Sequence, residues 1–405
     1  MYRAHFSITL LTIIMLTSCG TQAPPPTLTV IPVTPTFTAT EPPTAIPTAI
    51  DTSTPAPTRT PVLQSGNGSV LVTLVFKNNA KSPIDVYWVD FDGKEQKYFS
   101  VAPEKSAEQG TYSTHAWRVR DLAGNIVMDY VATDETRQTI EISADSVVAI
   151  ELPPLPTLEP NLVIPVPIVG HDGCVVITPP TNLNLDPFYA KYCDAGGIPI
   201  VASASVPDEA LGHAWNIIMN LLAARPDLHA ALVEHGQYFG VMGADEVTTD
   251  MPEYRHLKND PVTDWDQRAR GLGGIPFSSG AEENLLCYGN DRYLGESIAL
   301  HEFAHTIDAG LDFIDPQFDK YLALTYASAM EKDLWKNTYA ATNQDEYWAE
   351  GVQDYFNTNL SASPANGIHN EINTRKELSE YDPELWALIN YIFHGFDWSP
   401  DCSNQ

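Results

Sequence analysis

Positive charge is what this 405-residue sequence has least of: 22 Lys and Arg stand against 52 Asp and Glu, a formal net charge of −30. Nucleic-acid binding takes most of its affinity from neutralised phosphates, so this balance argues against that class of partner. Cysteine is sparse as well, five in all, and no two sit at the spacing of a thiolate zinc site. The leading apolar run, Ile8 to Leu16, is too short to span a bilayer as a stable anchor. What is present suffices for packed cores, since 43% of residues are apolar and 10% aromatic, unlike a disordered chain. The length fits two or three domains of about 100 to 200 residues each.

Residues 1–19 combine a charged start at Arg3, the apolar run and Leu16-Thr17-Ser18-Cys19, the pattern of a signal peptide. Leucine, two small residues and cysteine resemble the bacterial lipobox. That resemblance implies that Cys19 is lipidated and holds an exported lipoprotein at the cell membrane, on its extracytoplasmic side. Residues 20–64 contain 13 Thr and 11 Pro. Proline fixes φ and favours a solvated, extended backbone, so this stretch is expected to be a semi-rigid stalk. At about 3.1 Å per residue it reaches on the order of 140 Å when fully extended, and its composition permits O-glycans. The other four cysteines, in an exported chain, suggest two disulfides with three conceivable pairings. Cys174–Cys193 and Cys287–Cys402 are favoured.

Residues 65–152 read as a small β domain. Runs rich in β-branched and aromatic residues at 69–76, 84–91, 116–120, 126–132 and 139–149 alternate with turn signals such as Asp92-Gly93. Short strands punctuated in this way predict a sandwich. Asp85-Val-Tyr-Trp-Val-Asp-Phe-Asp-Gly93, Tyr98 and Thr111-Tyr-Ser-Thr-His-Ala-Trp-Arg-Val-Arg-Asp121 resemble the von Hippel-Lindau β domain. In that family the domain recognises a hydroxyproline-containing peptide. The resemblance therefore implies a pocket of Trp88, Tyr98, Thr111, His115 and Trp117, with a proline-containing peptide as ligand. Gly110 departs from the pattern, since the family's best-known member has His there. Trp88 and Trp117 also have the simpler reading of core residues, because large aromatics in small sandwiches are usually buried.

Residues 153–167 form a proline-rich connector, and 168–405 a mixed region that carries most of the negative charge, with 37 acidic and 12 basic residues from Pro156 onward. A loop-rich start holding Cys174 and Cys193 leads to helical patterns at 207–224 and 226–234, a strand at 238–242, and then four helical patterns. Among them lies Leu300-His301-Glu302-Phe303-Ala304-His305-Thr306. Residues four apart on a helix share a face, so His301 and His305 can ligate one Zn²⁺, with Glu302 placed as general base. Asp308 and Leu311 stand where the metzincin pattern needs Gly and His. The third ligand is therefore sought downstream, in Asp345-Glu-Tyr-Trp-Ala-Glu350, where Glu346 and Glu350 lie one helical turn apart. Glu346 is the candidate ligand, and Glu350 the acceptor of a hydrogen bond from a ligand imidazole. Tyr347, Trp348 and Tyr355 are assigned to the core. His213, His229, His235, His256, His369 and His394, at no metal-like spacing, are read as surface or hydrogen-bonded core residues.

The segment from Glu296 to Phe356 resembles the gluzincin peptidases, more closely the branch of anthrax lethal factor and the clostridial proline-proline endopeptidases. The shared pattern is HExxH, roughly forty residues, and Tyr-x₆-Glu-aromatic-aromatic-Ala-Glu. Here Glu346 follows His305 by 41 residues and Tyr339 precedes it by seven. The resemblance implies an α+β zincin-like fold, Zn²⁺ as cofactor, peptide or protein substrates, and Tyr339 as the hydroxyl that assists the transition state. Glycine-rich residues 265–277 and 280–286 suit a cleft wall or an edge strand able to pair with a peptide, where Arg268 or Arg270 can meet a substrate carboxylate or a nearby Asp, although for either arginine alone a plain loop is the simpler reading. The expected whole is a multidomain chain, a β-sandwich of von Hippel-Lindau type followed by a zincin-like metallopeptidase domain. A surface binding protein or adhesin with an inactive peptidase-like domain, and a zinc amidase acting on cell-wall material, are the competing expectations.

Overall fold

The computed structural model describes residues 63–148, 150, 152–155, 163–260 and 263–400. The expected signal peptide, Cys19, nearly all of the stalk and Cys402 lie outside the described residues.

Seven strands build the N-terminal region: β1 (Leu71–Asn78), β2 (Ile84–Val89), β3 (Glu95–Val101), β4 (Ser106–Tyr112), β5 (Ala116–Asp121), β6 (Ile126–Val131) and β7 (Arg137–Ile142). One sheet has the order β4-β1-β7, the other β3-β2-β5-β6. In β1 the period of two sends Val72, Leu74 and Phe76 inward, where they meet Val86, Trp88, Trp117 and Val119 of the second sheet. Strands β3 and β4 escaped the sequence reading for a physical reason. Each buries only two residues, Phe99 with Val101 and Ala107 with Thr111, too thin an apolar signal to separate from a polar loop. The last expected strand, at 139–149, is corrected at both ends: it begins at Arg137, stops at Ile142 and gives way to a short 3-10 turn, Ala144–Ser146.

The C-terminal region is mixed and dominated by helices. Its elements are β8 (Lys191–Ala195), β9 (Ile198–Ala202), α1 (Asp208–Leu221), α2 (Pro226–Glu234), β10 (Tyr238–Met242), α3 (Trp265–Arg268), β11 (Phe277–Ala281), α4 (Glu282–Leu285), α5 (Ile298–Leu311), α6 (Phe318–Glu331), α7 (Gln344–Tyr355), α8 (Arg375–Tyr381) and α9 (Pro383–Phe393). The sheet runs β11-β10-β9-β8, with β9, β10 and β11 parallel and β8 antiparallel at the edge. The β8–β9 hairpin replaces part of the expected loop. Its turn needs two residues at positive φ, supplied by Gly196 and Gly197 at 63° and 100°. Cys174 and Cys193 are joined, with Cα atoms 5.4 Å apart, and Cys287 is also disulfide-bonded. After the single turn of α4, five helices, α5 to α9, follow in place of the four expected, because Asp382 caps a fresh helix at Pro383 immediately after α8.

Helix α5 packs between β11 and α7. A Cβ on Gly280 of β11 would lie 2.9 Å from Ala299 Cβ, so glycine there lets strand and helix approach. Leu300, Phe303 and Ile307 join Tyr347, Trp348 and Tyr355 in the core, and Trp348 Nε1 donates to Ala304 O at 2.9 Å, tying α7 to α5 in one register. The two regions touch where Lys97 of β3 pairs with its neighbour Asp85 at 3.2 Å and with Asp319 of α6. No helix among the described residues is long and apolar enough to cross a membrane.

Candidate metal centre

Helices α5 and α7 bring His301, His305 and Glu346 together as a buried group whose ligand atoms all lie within 4.8 Å of one another. His301 Nε2 is 3.2 Å from Glu346 Oε2, His305 Nε2 is 3.2 Å from His301 Nε2, and His305 Nε2 is 3.5 Å from Glu346 Oε2. Zn–N and Zn–O bonds of about 2.0–2.1 Å in a tetrahedron put ligand atoms about 3.3 Å apart, the spacing seen here. Asn343 caps α7, its Oδ1 accepting from Glu346 N at 2.8 Å, which fixes the start of the helix at the ligand itself.

The donor set also asks for a cation. Gln353 Oε1 lies 2.8 Å from His301 Nδ1, and Gln353 Nε2 donates to Ser297 O at 3.4 Å, which fixes the amide orientation. Nδ1 must then carry the proton, and Nε2 of a neutral imidazole presents a lone pair to the Glu346 carboxylate. Two acceptors at 3.2 Å require a proton or a metal ion between them. Burial alone would lower His301, yet the Glu346 hydrogen bond and the charge of Glu302 raise it to about 10. Burial likewise raises Glu346, but its bonds to His301 and His305 hold it well below the usual carboxylate range. The pocket therefore stabilises positive charge at this point.

Gln353 was not foreseen, and it takes the role expected of Glu350. The Glu350 carboxylate stops 3.7 Å from His301 Nδ1 and accepts instead from Asn359 Nδ2 at 3.0 Å. The signal for Gln353 was present: it lies seven residues after Glu346 and three after Glu350, on the same stripe of α7.

Glu302 and Tyr339 face the same cavity of about 260 Å³ as the three ligand candidates. Burial raises the Glu302 carboxyl, while His301, His305 and a hydrogen bond from the Gly273 backbone pull it down. Tyr339 OH donates to Glu346 Oε1 at 2.9 Å, and burial beside that carboxylate holds the phenol well above its usual range. The glycine-rich segment forms one wall. Leu272 bridges antiparallel to Ser279 of β11, and a Cβ on Gly273 would come within 2.4 Å of Glu302 O, so only glycine lets this wall lie on the HExxH helix. Arg270 is committed elsewhere, its guanidinium buried against Glu283 at 2.5 and 2.8 Å, whereas Arg268 opens into the cavity. His369, expected at the surface or in the core, is buried with Nε2 3.3 Å from Oε1 of Glu296, which lines the cavity.

The five β-region candidates divide. Trp117 is 1% exposed and packs on Phe76 and Tyr98, with ring centroids 5.8 and 5.0 Å away, so it is core and not a pocket wall. Thr111 Oγ1 lies 3.0 Å from His115 Nδ1, and the His115 ring is 5.5 Å from Trp88. Burial lowers His115, favouring the neutral ring. Phe91 and Tyr112, 44% and 46% exposed, flank His115 at 5.7 and 5.6 Å and complete an aromatic patch that the sequence reading left out. Among the described residues nothing lies within 4 Å of a Cβ placed on Gly110, so the departure from the family pattern leaves space there. Trp88 Nε1 is buried without a partner among the described residues.

No curated protein matches this chain in a sequence comparison. Over residues 63–132 the chain matches the model of the VHL beta domain family, and the N-terminal region is of that kind.

Proposed function

We propose that this chain is a zinc metalloendopeptidase of gluzincin type, exported and lipid-anchored through Cys19, with an N-terminal β region that binds a peptide or protein partner. The observation that carries the reading is the meeting of His301 Nε2, His305 Nε2 and Glu346 Oε2 at 3.2 to 3.5 Å. These atoms would hold the ion, which when bound supplies Lewis acidity toward a peptide carbonyl. Gln353 keeps His301 in the ligating tautomer. The Glu302 carboxylate, oriented by the Gly273 N–H, takes a proton from the attacking water and returns it to the leaving amine. Tyr339 OH stands beside Glu346 and can turn to donate to the oxygen on which charge develops. The Gly271–Gly273 wall, paired with β11, offers backbone groups to an extended substrate.

The test is a purified chain from residue 63 onward. Glu302→Gln should retain about one zinc per chain while kcat falls by about 10³-fold. His305→Ala should lose metal and hydrolysis together. Hydrolysis that survives both substitutions would refute the assignment. A second reading, a surface binding protein whose peptidase-like region is inactive, draws support from the exposed Phe91, Tyr112 and His115 patch. It predicts peptide binding that His115→Ala abolishes, with no chelator-sensitive cleavage by the unaltered chain.

A further inference from the structure

The cavity holds a cation that pairs with no carboxylate among the described residues. Arginines elsewhere among the described residues have a carboxylate within 4.0 Å, from Arg118 with Glu95 in the β region to Arg375, the first residue of α8, with Asp397. Arg268 and Arg292 have none, in a chain with more than twice as many acids as bases. Arg292 is already engaged, donating to Gln267 O at 2.5 Å and lying over the Tyr293 ring. Tyr293 OH in turn donates to Arg268 O at 3.3 Å. Together these two residues prop the end of α3, and Arg268 N donates to Asp264 O at 3.0 Å within it. The backbone of Arg268 is thereby fixed while its side chain stays exposed in the cavity, with Nη2 3.5 Å from Tyr339 OH.

We propose that Arg268 is a specificity-determining residue that receives a substrate carboxylate at the mouth of the metal cavity. This rests on the peptidase reading and names the substrate class that reading left open. A guanidinium offers a planar fork that pairs with a carboxylate through two parallel N–H bonds. The acids lining the same cavity are otherwise occupied. Glu346 belongs to the ligand group, Glu302 is given to the attacking water in the proposed reaction, Glu350 is held by Asn359, and Glu296 is paired with His369. Acidic as the chain is, its cleft therefore does not select basic peptides: the side chain free to meet a substrate is a cation. The carboxylate can come from an Asp or Glu side chain or from the C terminus of the substrate.

The experiment uses neutral peptides in which Asp replaces Asn at each position in turn, each made with a free and with an amidated C terminus. Cleavage is followed with the zinc-loaded chain, and binding with the Glu302→Gln variant. A carboxylate at one position should improve kcat/KM by about tenfold, chiefly through KM. Arg268→Gln should erase that gain, Arg268→Lys restore part of it, and Arg268→Glu transfer the preference to Lys at the same position. Preference for the free C terminus alone assigns the subsite to the terminal carboxylate, and preference for Asp alone to a side chain. Arg268 is exposed, so zinc content and Tm should not change in these variants. Asp and Asn peptides handled equally by the unaltered chain, or a loss in Arg268→Gln that falls equally on all peptides through kcat, would overturn the inference. Absence of cleavage by the unaltered chain would instead strike at the peptidase reading. The binding arm still decides the Arg268 question in that case, and binding indifferent to the carboxylate, or absent, overturns it.

Discussion

The two regions handle charge in opposite ways. In the β region, charged side chains close on one another near the surface. Arg118 meets Glu95 at 2.8 Å and Asp129 at 2.6 Å, Arg120 meets Glu95 at 2.7 Å, and Arg137 meets Glu108 at 2.6 Å. In the C-terminal region, carboxylates gather around α5 and α7 in excess of any cation. Burial raises Glu302, Asp308, Asp345, Glu350 and Asp354 alike. A stability element has no reason to keep so many uncompensated buried acids, since each disfavours folding when ionised. A site that must attract a cation and move a proton does. The β region closes its charges on one another, and under the proposed metal-site reading a bound cation would meet the open acids of the C-terminal region.

Lys97 is where the two rules meet, and it supplies the largest expected effect. It leaves β3 to pair with Asp85 and with Asp319 of α6, next to Asp308, Asp312 and Asp345. Lys97→Met would leave Asp85 and Asp319 facing each other without a counterion. The variant should lose about 3 kcal/mol in chemical denaturation. Its counterpart within the β region, Arg137→Met, breaks an exposed pair and should cost under about 1 kcal/mol. Equal losses would erase the distinction between closed and open charge.

A smaller effect is expected at Gln353, whose Oε1 fixes the His301 tautomer from 2.8 Å. Gln353→Ala should weaken zinc binding by about 10- to 100-fold, measured by competition with a chelating indicator, and leave the fold intact. Gln353→Glu should recover affinity, because a carboxylate accepts the same proton. An unchanged affinity in Gln353→Ala would mean that Glu350, 3.7 Å away, suffices to orient the ring.

Local patterns were readable in the sequence, and cross-element geometry was not. His301 and His305 declare themselves because four residues make one helical turn, and Glu346 follows from the Glu-x-x-x-Glu step on α7. Which group on that helix face meets His301 Nδ1 depends on how α7 is rotated against α5. Trp348 sets that rotation through its bond to Ala304 O, while Gly351, where a Cβ would lie 2.6 Å from Leu385 Cδ2, lets α9 approach α7. The division of labour between Arg268 and Arg270 likewise hinges on Glu283, thirteen residues on, and no periodic pattern links them. In the β region β1 was legible from Val72, Leu74 and Phe76, whereas Lys97 hid β3 by looking like a solvated loop residue.

The smallest effect is also the sharpest contrast, because the two charge regimes carry opposite pH signs. Hydrogen bonds from Arg120, then Arg118, hold Glu95 at about 2, below its unfolded value of about 4.3. That stabilisation is full above the unfolded value and disappears as pH falls toward 2. Burial holds Asp345 at about 6, above its unfolded value of about 3.9. The folded state then favours the protonated carboxyl, so this contribution is full below about pH 4 and is lost as pH rises through 6. Hydrogen exchange followed strand by strand in the zinc-free chain should show β2, β3 and β5 gaining protection between pH 2 and about 4, and α5 and α7 losing it between about 4 and 6. Asp345→Asn should lessen the second trend, to which Glu302, Asp308, Glu350 and Asp354 also contribute, and leave the first, whereas Glu95→Gln should flatten the first and leave the second. Parallel trends in both regions would show that their charges are governed by one rule, and the contrast between closed pairs and an open site would fail.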